Sequence, residues 1–173
     1  MPTSYQSPMR QDQAAPGSKS QSVNLSNAHP TVADILGGKG GEVFSITPTE
    51  TLGRAVEELR DRRIGALVVT DGAGKLAGIL SERDIVRKLA ETPGQTLPQQ
   101  VGDVMTRKVV TCAPDDPLLS VLKRMTAGRF RHMPVVEGEG EELIGVVTIG
   151  DVIHHRLTQL EHEALQLKQL IVG

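Results

Sequence analysis

Two segments of the 173-residue chain carry residue types that can hold a phosphate and a sugar. They are Gly78-Ile79-Leu80-Ser81-Glu82-Arg83-Asp84 and Gly145-Val146-Val147-Thr148-Ile149-Gly150-Asp151. Each reads as Gly, two apolar residues, Ser or Thr, two residues, then Asp. Each falls where a strand pattern passes into a helix pattern. Such a junction leaves free backbone N–H groups at the positive end of a helix, a setting that suits phosphate. Ser81 or Thr148 can donate a hydroxyl to a phosphate oxygen. Asp84 or Asp151 stays on the first helical turn, where its carboxylate can accept both hydroxyls of a ribose 2′,3′-diol. The same Ser/Thr-x-x-Asp spacing is that of a capping box, which needs no ligand. On spacing alone the cap is the favoured reading, and the second copy adds little, because duplicated units inherit the same residues.

The elements that must position these residues come from an internal repeat. Leu67-Val68-Val69 is matched by Pro134-Val135-Val136, and Gly78 to Asp84 by Gly145 to Asp151; 134 − 67, 148 − 81 and 151 − 84 all give an offset of 67. Upstream, Val32-Ala33-Asp34-Ile35-Leu36 is matched by Val101-Gly102-Asp103-Val104-Met105, where 101 − 32 gives 69. Each unit opens with a short strand, Val43 to Ile46 or Val109 to Thr111. An amphipathic helix follows, with Leu52, Ala55, Val56 and Leu59, or Leu118, Val121, Leu122 and Met125, on one face. Asp116-Pro117 reads as a cap and first turn for the second of these helices. Two strands joined by a glycine turn come next, Ala66 to Thr70 with Leu76 to Leu80, and Pro134 to Glu137 with Leu143 to Val147. A second helix closes each unit. A unit of this size buries too little surface to be secure alone, so two packed sheet against sheet are expected. Residues 1–29 read as a disordered tail rich in Ser, Gln, Pro and Asn, Gly37 to Gly41 as a flexible loop, and Glu91 to Pro98 as a linker.

Composition removes several function classes. Hydrophobic residues make up 38% and charged residues 23%, which excludes a collagen, a coiled-coil rod or a wholly disordered chain. Aromatics are 2% and Trp is absent, so base stacking on aromatic platforms is not available. A net charge of −2 gives no basic footprint for a duplex, and nucleic acid is not an expected partner. The single Cys112 forms no internal disulfide, so a reducing compartment is the default. No apolar run approaches the roughly 18 residues of a membrane span, and no signal pattern opens the chain. A cytoplasmic protein without a membrane partner is expected. No Ser/His/Asp order, Cys/His pair or P-loop stands out, and an enzyme is not expected.

Residues of about 31 to 160 resemble a tandem pair of CBS domains, a Bateman module. The resemblance rests on Arg131-His132-Met133-Pro134-Val135-Val136, on Val104-Met105-Thr106 and on the two Gly-x-x-Ser/Thr-x-x-Asp segments, recurring in order. It implies an α+β fold of two β-α-β-β-α units packed as a pseudo-twofold module, unit 1 over 30–92 and unit 2 over 98–158. It also implies two clefts for adenosine-containing regulatory ligands such as AMP, ADP, ATP, NAD or S-adenosylmethionine. Each cleft would take its ribose Asp and Ser/Thr from one unit and its remaining walls from the other. Cleft A would use Ser81, Arg83 and Asp84 with Thr106, Lys108, Val110, Arg131, His132 and Met133. Cleft B would use Thr148 and Asp151 with Lys39, Phe44, Ile46, Ile64, Gly65 and Ala66.

The residues themselves set the two clefts apart. Cleft A gathers Lys108, Arg131, Arg83 and His132, while cleft B has Ile64-Gly65 in place of Arg131-His132 and Lys39 as its one obvious cation. Cleft A is therefore expected to bear the phosphate and cleft B to be weaker or to prefer a less charged adenosine moiety. A metal site on His154, His155 and His162 is not expected, since no Cys or convergent carboxylates accompany them. Cys112 reads as a small core residue. Ile153, Leu157, Leu160, Ala164, Leu167 and Ile171 are spaced 4, 3, 4, 3, 4, a heptad seam. Residues 159–173 extend the last helix beyond the usual unit, and a helix-to-helix dimer contact is expected there. The sequence thus predicts a regulatory sensor that changes inter-unit or dimer geometry on binding nucleotide and signals to an effector protein, with a ligand-free homodimeric scaffold as the alternative.

Overall fold

The computed structural model describes residues 29–139 and 141–172. The expected tail lies almost wholly outside them. The first unit comprises helix α1 (Val32–Lys39), strand β1 (Ser45–Ile46), α2 (Leu52–Arg62), β2 (Ala66–Thr70), β3 (Leu76–Ser81) and α3 (Glu82–Glu91). The second comprises α4 (Val101–Val104), α5 (Leu118–Gly128), β4 (His132–Glu137), β5 (Glu142–Thr148) and α6 (Ile149–Val172). β1 pairs parallel with β2, and β2 antiparallel with β3; β4 and β5 form a second antiparallel pair. The expected strand over Val109 to Thr111 does not form. Cys112 alone bridges to Val135, with its N–H donating to Pro134 O at 3.0 Å and its carbonyl accepting from Val136 N–H at 2.9 Å.

Other local expectations also change. Gly37 and Gly38 are helical rather than a loop, because Thr31 and Asp34 form a capping box and α1 runs on to Lys39. The chain turns at Gly40, whose φ of 84° lies where glycine carries no Cβ penalty. Asp116 does not cap α5: Pro117 occupies the cap, and the Asp116 carboxylate instead accepts from Ala113 N–H and Arg124. The segment after α3 is a hydrogen-bonded turn, not a loose linker. Buried Thr96 donates to Thr92 O at 2.7 Å, and Gln99 Nε2 donates to Thr92 Oγ1 at 2.9 Å.

Strand register corrects the repeat alignment. Leu67 lies opposite Leu80 and Met133 opposite Val147; Val69 lies opposite Gly78 and Val135 opposite Gly145. So 133 − 67 and 135 − 69 give 66, while 147 − 80 gives 67. The extra residue sits in the longer turn of the second unit. Arg63 and Arg129, both left-handed helix C-caps at φ 54° and 56°, obey the offset of 66. Ala66, not Gly65, is therefore the counterpart of His132.

Two aliphatic cores form, and the short opening helices are exchanged between them. Val32 and Ile35 of α1 pack with Cys112, Leu118, Val121, Met125, Met133, Val135, Val147 and Val152 of the second unit. Val101 of α4 and the adjacent Met105 pack with Ile46, Leu52, Ala55, Leu59, Leu67, Val69, Leu80 and Ile85 of the first. Glycines make this exchange possible. A Cβ on Gly78 would meet Met105 Sδ at 2.7 Å and Thr106 O at 2.9 Å, and one on Gly145 would meet Leu36 Cδ2 at 2.7 Å. Backbone bonds between Ile79 and Thr106, at 2.9 and 3.0 Å, stitch the same seam.

Candidate functional site

Both Ser/Thr-x-x-Asp segments fold as the capping boxes their spacing predicts. Asp84 Oδ2 accepts from Ser81 N–H at 2.9 Å and from Ser81 Oγ–H at 2.6 Å. Asp151 Oδ2 accepts from Thr148 N–H at 2.9 Å, and Asp151 N–H donates to Thr148 Oγ1 at 3.1 Å. Each cap occupies Oδ2, and among the described residues no hydrogen bond falls on Oδ1 of either aspartate. The cap and a ribose contact are thus compatible, because the box fixes the carboxylate at the helix start while one oxygen stays available.

The elements place a cleft beside Lys39 and Thr148, the two residues bonded to Asp151; Asp151 itself is not among its lining residues. Lys39, Phe44, Ile64, Gly65, Ala66 and Thr148, all assigned to cleft B, line a cavity of ≈ 240 Å³ together with Glu42, Arg63, His132 and Val146. Phe44, Ile64 and Val146 give it apolar walls, and the Arg62 guanidinium lies 4.5 Å from the centre of the Phe44 ring. Lys39 Nζ donates to Asp151 Oδ2 at 2.7 Å and to Val146 O at 3.2 Å. It reaches them from the end of a helix anchored in the second core, not from a mobile loop. Burial pushes the Asp151 carboxyl up, but the Lys39 ammonium and the Thr148 N–H outweigh it and hold the group below its ordinary value.

His132 belongs to the wall of this cleft, not solely to cleft A as the sequence predicts. A Cβ on Gly65 would lie 3.2 Å from His132 Cε1, so the starts of β2 and β4 meet here, close to the pseudo-twofold relation between units. Burial lowers the His132 imidazole below its ordinary value; Lys39 and Arg131 act with it, and Glu82 and Asp151 against it. Arg63 and Glu42 were missed in the sequence. The 66-residue offset finds Glu42, which it pairs with Lys108 of cleft A; Arg63 pairs with Arg129, assigned to neither cleft, and only the fold places it in the wall. With Arg63 counted, cleft B is not limited to Lys39 for positive charge.

The residues assigned to cleft A are less gathered. Arg83 Nη1 donates to Arg129 O at 2.9 Å and ties α3 to the second unit. Among the described residues Asp84 makes no ion pair with Arg131 or Lys108; its nearest cation is Arg87, 4.0 Å from Oδ1. Arg131, Lys108 and Val110 are exposed, and Thr106 is held by its backbone bridge to Ile79. Met133 is fully buried in the second core and Ile46 is 7% exposed in the first, so neither side chain is free to contact a ligand. Cys112 is buried, and burial pushes its thiol up to about 11, as suits an inert core residue. Among the described residues no group of three or more His, Cys, Asp and Glu could hold a metal ion, and no helix is long and apolar enough to cross a membrane.

Two homologous sheet-and-helix units, exchanging their opening helices and leaving a cleft whose lining residues Lys39 and Thr148 bond the capped Asp151, define a pseudo-twofold α+β module. The chain belongs to the CBS-domain family: residues 38–91 and 101–158 each match the CBS domain. Tandem modules of this kind are regulatory. The chain is 34% identical over 151 residues to the mitochondrial CBS domain-containing protein CBSX3 of Arabidopsis thaliana, covering 83% of this chain and 72% of that protein. Three other curated relatives, also from Arabidopsis thaliana, are longer, and the chain spans 22–26% of them. Among solved structures it is similar to the CBS-domain containing protein ATU1752 from Agrobacterium tumefaciens, with 38% identity, a TM-score of 0.72, and 76% and 97% of the two chains covered. It is also similar to the CBS domain pair of protein MJ0100 in complex with 5′-methylthioadenosine and S-adenosyl-L-methionine. There the identity is 27%, the TM-score 0.67, and the coverage 76% and 98%.

Proposed function

We propose that this chain is a non-catalytic sensor that binds an adenosine-containing ligand in the Asp151 cleft. The observation that carries this reading is the Asp151 carboxylate, fixed by its cap beside a cavity with apolar walls and three nitrogen cations or bases, Lys39, Arg63 and His132. In this reading the ribose diol donates to Asp151, the purine lies against Phe44, Ile64 and Val146, and the phosphate meets Lys39 and Arg63. The likeness to a CBS pair that holds two adenosine compounds supports the ligand class. Ser81, Arg83 and Asp84, with Thr106, Lys108, Val110 and Arg131, form a second and looser candidate site. A nucleotide of roughly 23 heavy atoms at about 0.3 kcal/mol each gives a Kd on the order of 10 μM. Binding must favour one inter-unit geometry to signal, and an effector protein must read it.

A second reading, a scaffold that binds no nucleotide, is favoured by one observation: the caps and Lys39 already satisfy both carboxylates in part. Calorimetric titration with AMP, ADP, ATP, NAD and S-adenosylmethionine separates the two. The sensor reading expects micromolar binding of at least one compound and a loss of about tenfold or more in Asp151→Asn, because a hydrogen bond to a charged group is worth about 1.5–3 kcal/mol. No heat with any compound, or equal affinity in Asp151→Asn, leaves the scaffold.

A further inference from the structure

The second half of α6 is a helix without a body to lie on. α6 runs for 24 residues where its counterpart α3 has 10. Its inner face, with Val152 2% exposed, packs on the second core. From Leu160 to Ile171 every side chain is exposed. Ile153, Leu157, Leu160, Leu167 and Ile171 are 44–83% exposed and lie in one stripe turned about 80° from the inner face, at about 100° per residue. An isolated helix of this length is marginal in water, so a stripe of this kind needs cover.

The charges flanking the stripe select the cover. With Leu157, Ala164 and Ile171 as a positions and Ile153, Leu160 and Leu167 as d positions, the g positions hold Arg156 and Glu163, and the e positions hold Glu161 and Lys168. In a parallel, in-register pair each g residue faces the e residue five places on in the other chain. Arg156 then meets Glu161 and Glu163 meets Lys168, and both pairs are of opposite sign. The symmetric antiparallel register stacks Leu157 on Leu167 and Leu160 on Ala164. It sets Glu161 against Glu161, Glu163 against Glu163, and His154 against Lys168, with no opposite pair among them. Leu165, at a b position, stays outside either seam.

We infer that residues 153–171 of two copies of this chain form a parallel, in-register two-stranded coiled coil. This surface does not depend on any ligand. The zipper places both modules at its N-terminal end, related by a two-fold axis along the coil. It is tested on the full chain, where buried Cys112 leaves engineered thiols as the only accessible ones. Leu167→Cys is expected to cross-link to itself under mild oxidation, and Leu165→Cys is not. Sedimentation is expected to show a dimer whose dissociation constant rises about three- to tenfold in Glu163→Lys and recovers in Glu163→Lys/Lys168→Glu, two exposed pairs being worth up to about 1 kcal/mol each. These residues are exposed, and an unchanged melting temperature of the monomeric module shows that the fold is kept. A monomeric wild type, a dimer in which Leu167→Cys fails to cross-link, or preferential linkage of Leu157→Cys to Leu167→Cys in a mixture would each overturn the inference.

Discussion

Replacing Lys39 with Met separates two roles that one ammonium group holds in the proposed sensor. In the ligand-free chain Lys39 Nζ sits 2.7 Å from Asp151 Oδ2, the carboxylate to which the ribose would donate. Side-chain exposures of 40% and 24% make this a half-exposed pair, worth about 0.2–1 kcal/mol. Lys39→Met should therefore lower the melting temperature by no more than about 4 °C. The pair holds the Asp151 carboxyl low, so its stabilisation is present above the unfolded value of about 3.9 and is lost as pH falls through the lower folded value. The stability difference between wild type and variant should shrink over that acid window. Binding should move in opposite directions for two ligands. Adenosine has no phosphate, so it only competes with Lys39 for Asp151, and the variant should bind it up to about fivefold tighter. AMP loses a charge-assisted phosphate contact of about 1.5–3 kcal/mol, offset by the same relief, and should bind about two- to thirtyfold weaker. Calorimetry of both ligands on both proteins reads the crossing directly. If adenosine and AMP weaken together, or neither changes, Lys39 does not exchange between carboxylate and phosphate and the reasoning fails.

Two further predictions concern the seam between units and the cleft wall. Gly78→Ala places a methyl 2.9 Å from the backbone oxygen of Thr106, which cannot yield, and should cost about 1–3 kcal/mol in urea unfolding. Gly145→Ala meets only the Leu36 side chain, whose rotation relieves the clash, and should cost clearly less; equal costs would refute the exchange geometry. Burial holds the His132 imidazole below its ordinary value, so the unfolded chain takes up a proton first. Stability should be complete above pH of about 6.5 and fall below it until the folded value is passed, and His132→Gln should flatten this part of the urea-derived profile. A variant profile parallel to wild type would show that His132 is not the group responsible.

Much of the fold could be read from the chain because duplication writes the same pattern twice. The strand pairs, the amphipathic helices and the two capped aspartates all follow from local periodicity and from Ser/Thr-x-x-Asp spacing. What could not be read is set by tertiary contacts. The alternation of Leu67 to Val69 fits Pro134 to Val136 as well as Met133 to Val135, and only pairing with β5 fixes the register. His132 and Arg63 reach cleft B because the starts of β2 and β4 meet beside it, a tertiary contact that no local pattern shows. Gly37 and Gly38 looked like loop by propensity, yet the Thr31 and Asp34 box and the packing of Val32 and Ile35 keep them helical. Val110, expected within the first strand of unit 2, is 43% exposed, and only buried Cys112 reaches β4.

The exchange of opening helices gives the cleft a physical route to the rest of the module. Lys39 is the last residue of α1, and the same helix buries Val32 and Ile35 in the second core. Its first N–H groups, at Val32 and Ala33, donate to Asp116 O and Pro114 O just ahead of α5. Under the sensor reading, a ligand that draws Lys39 from Asp151 pulls on a helix whose other end is fixed beside α5, not on a free tether. In the same reading, the contacts between α1 and α6 carry that displacement toward the C-terminal helix.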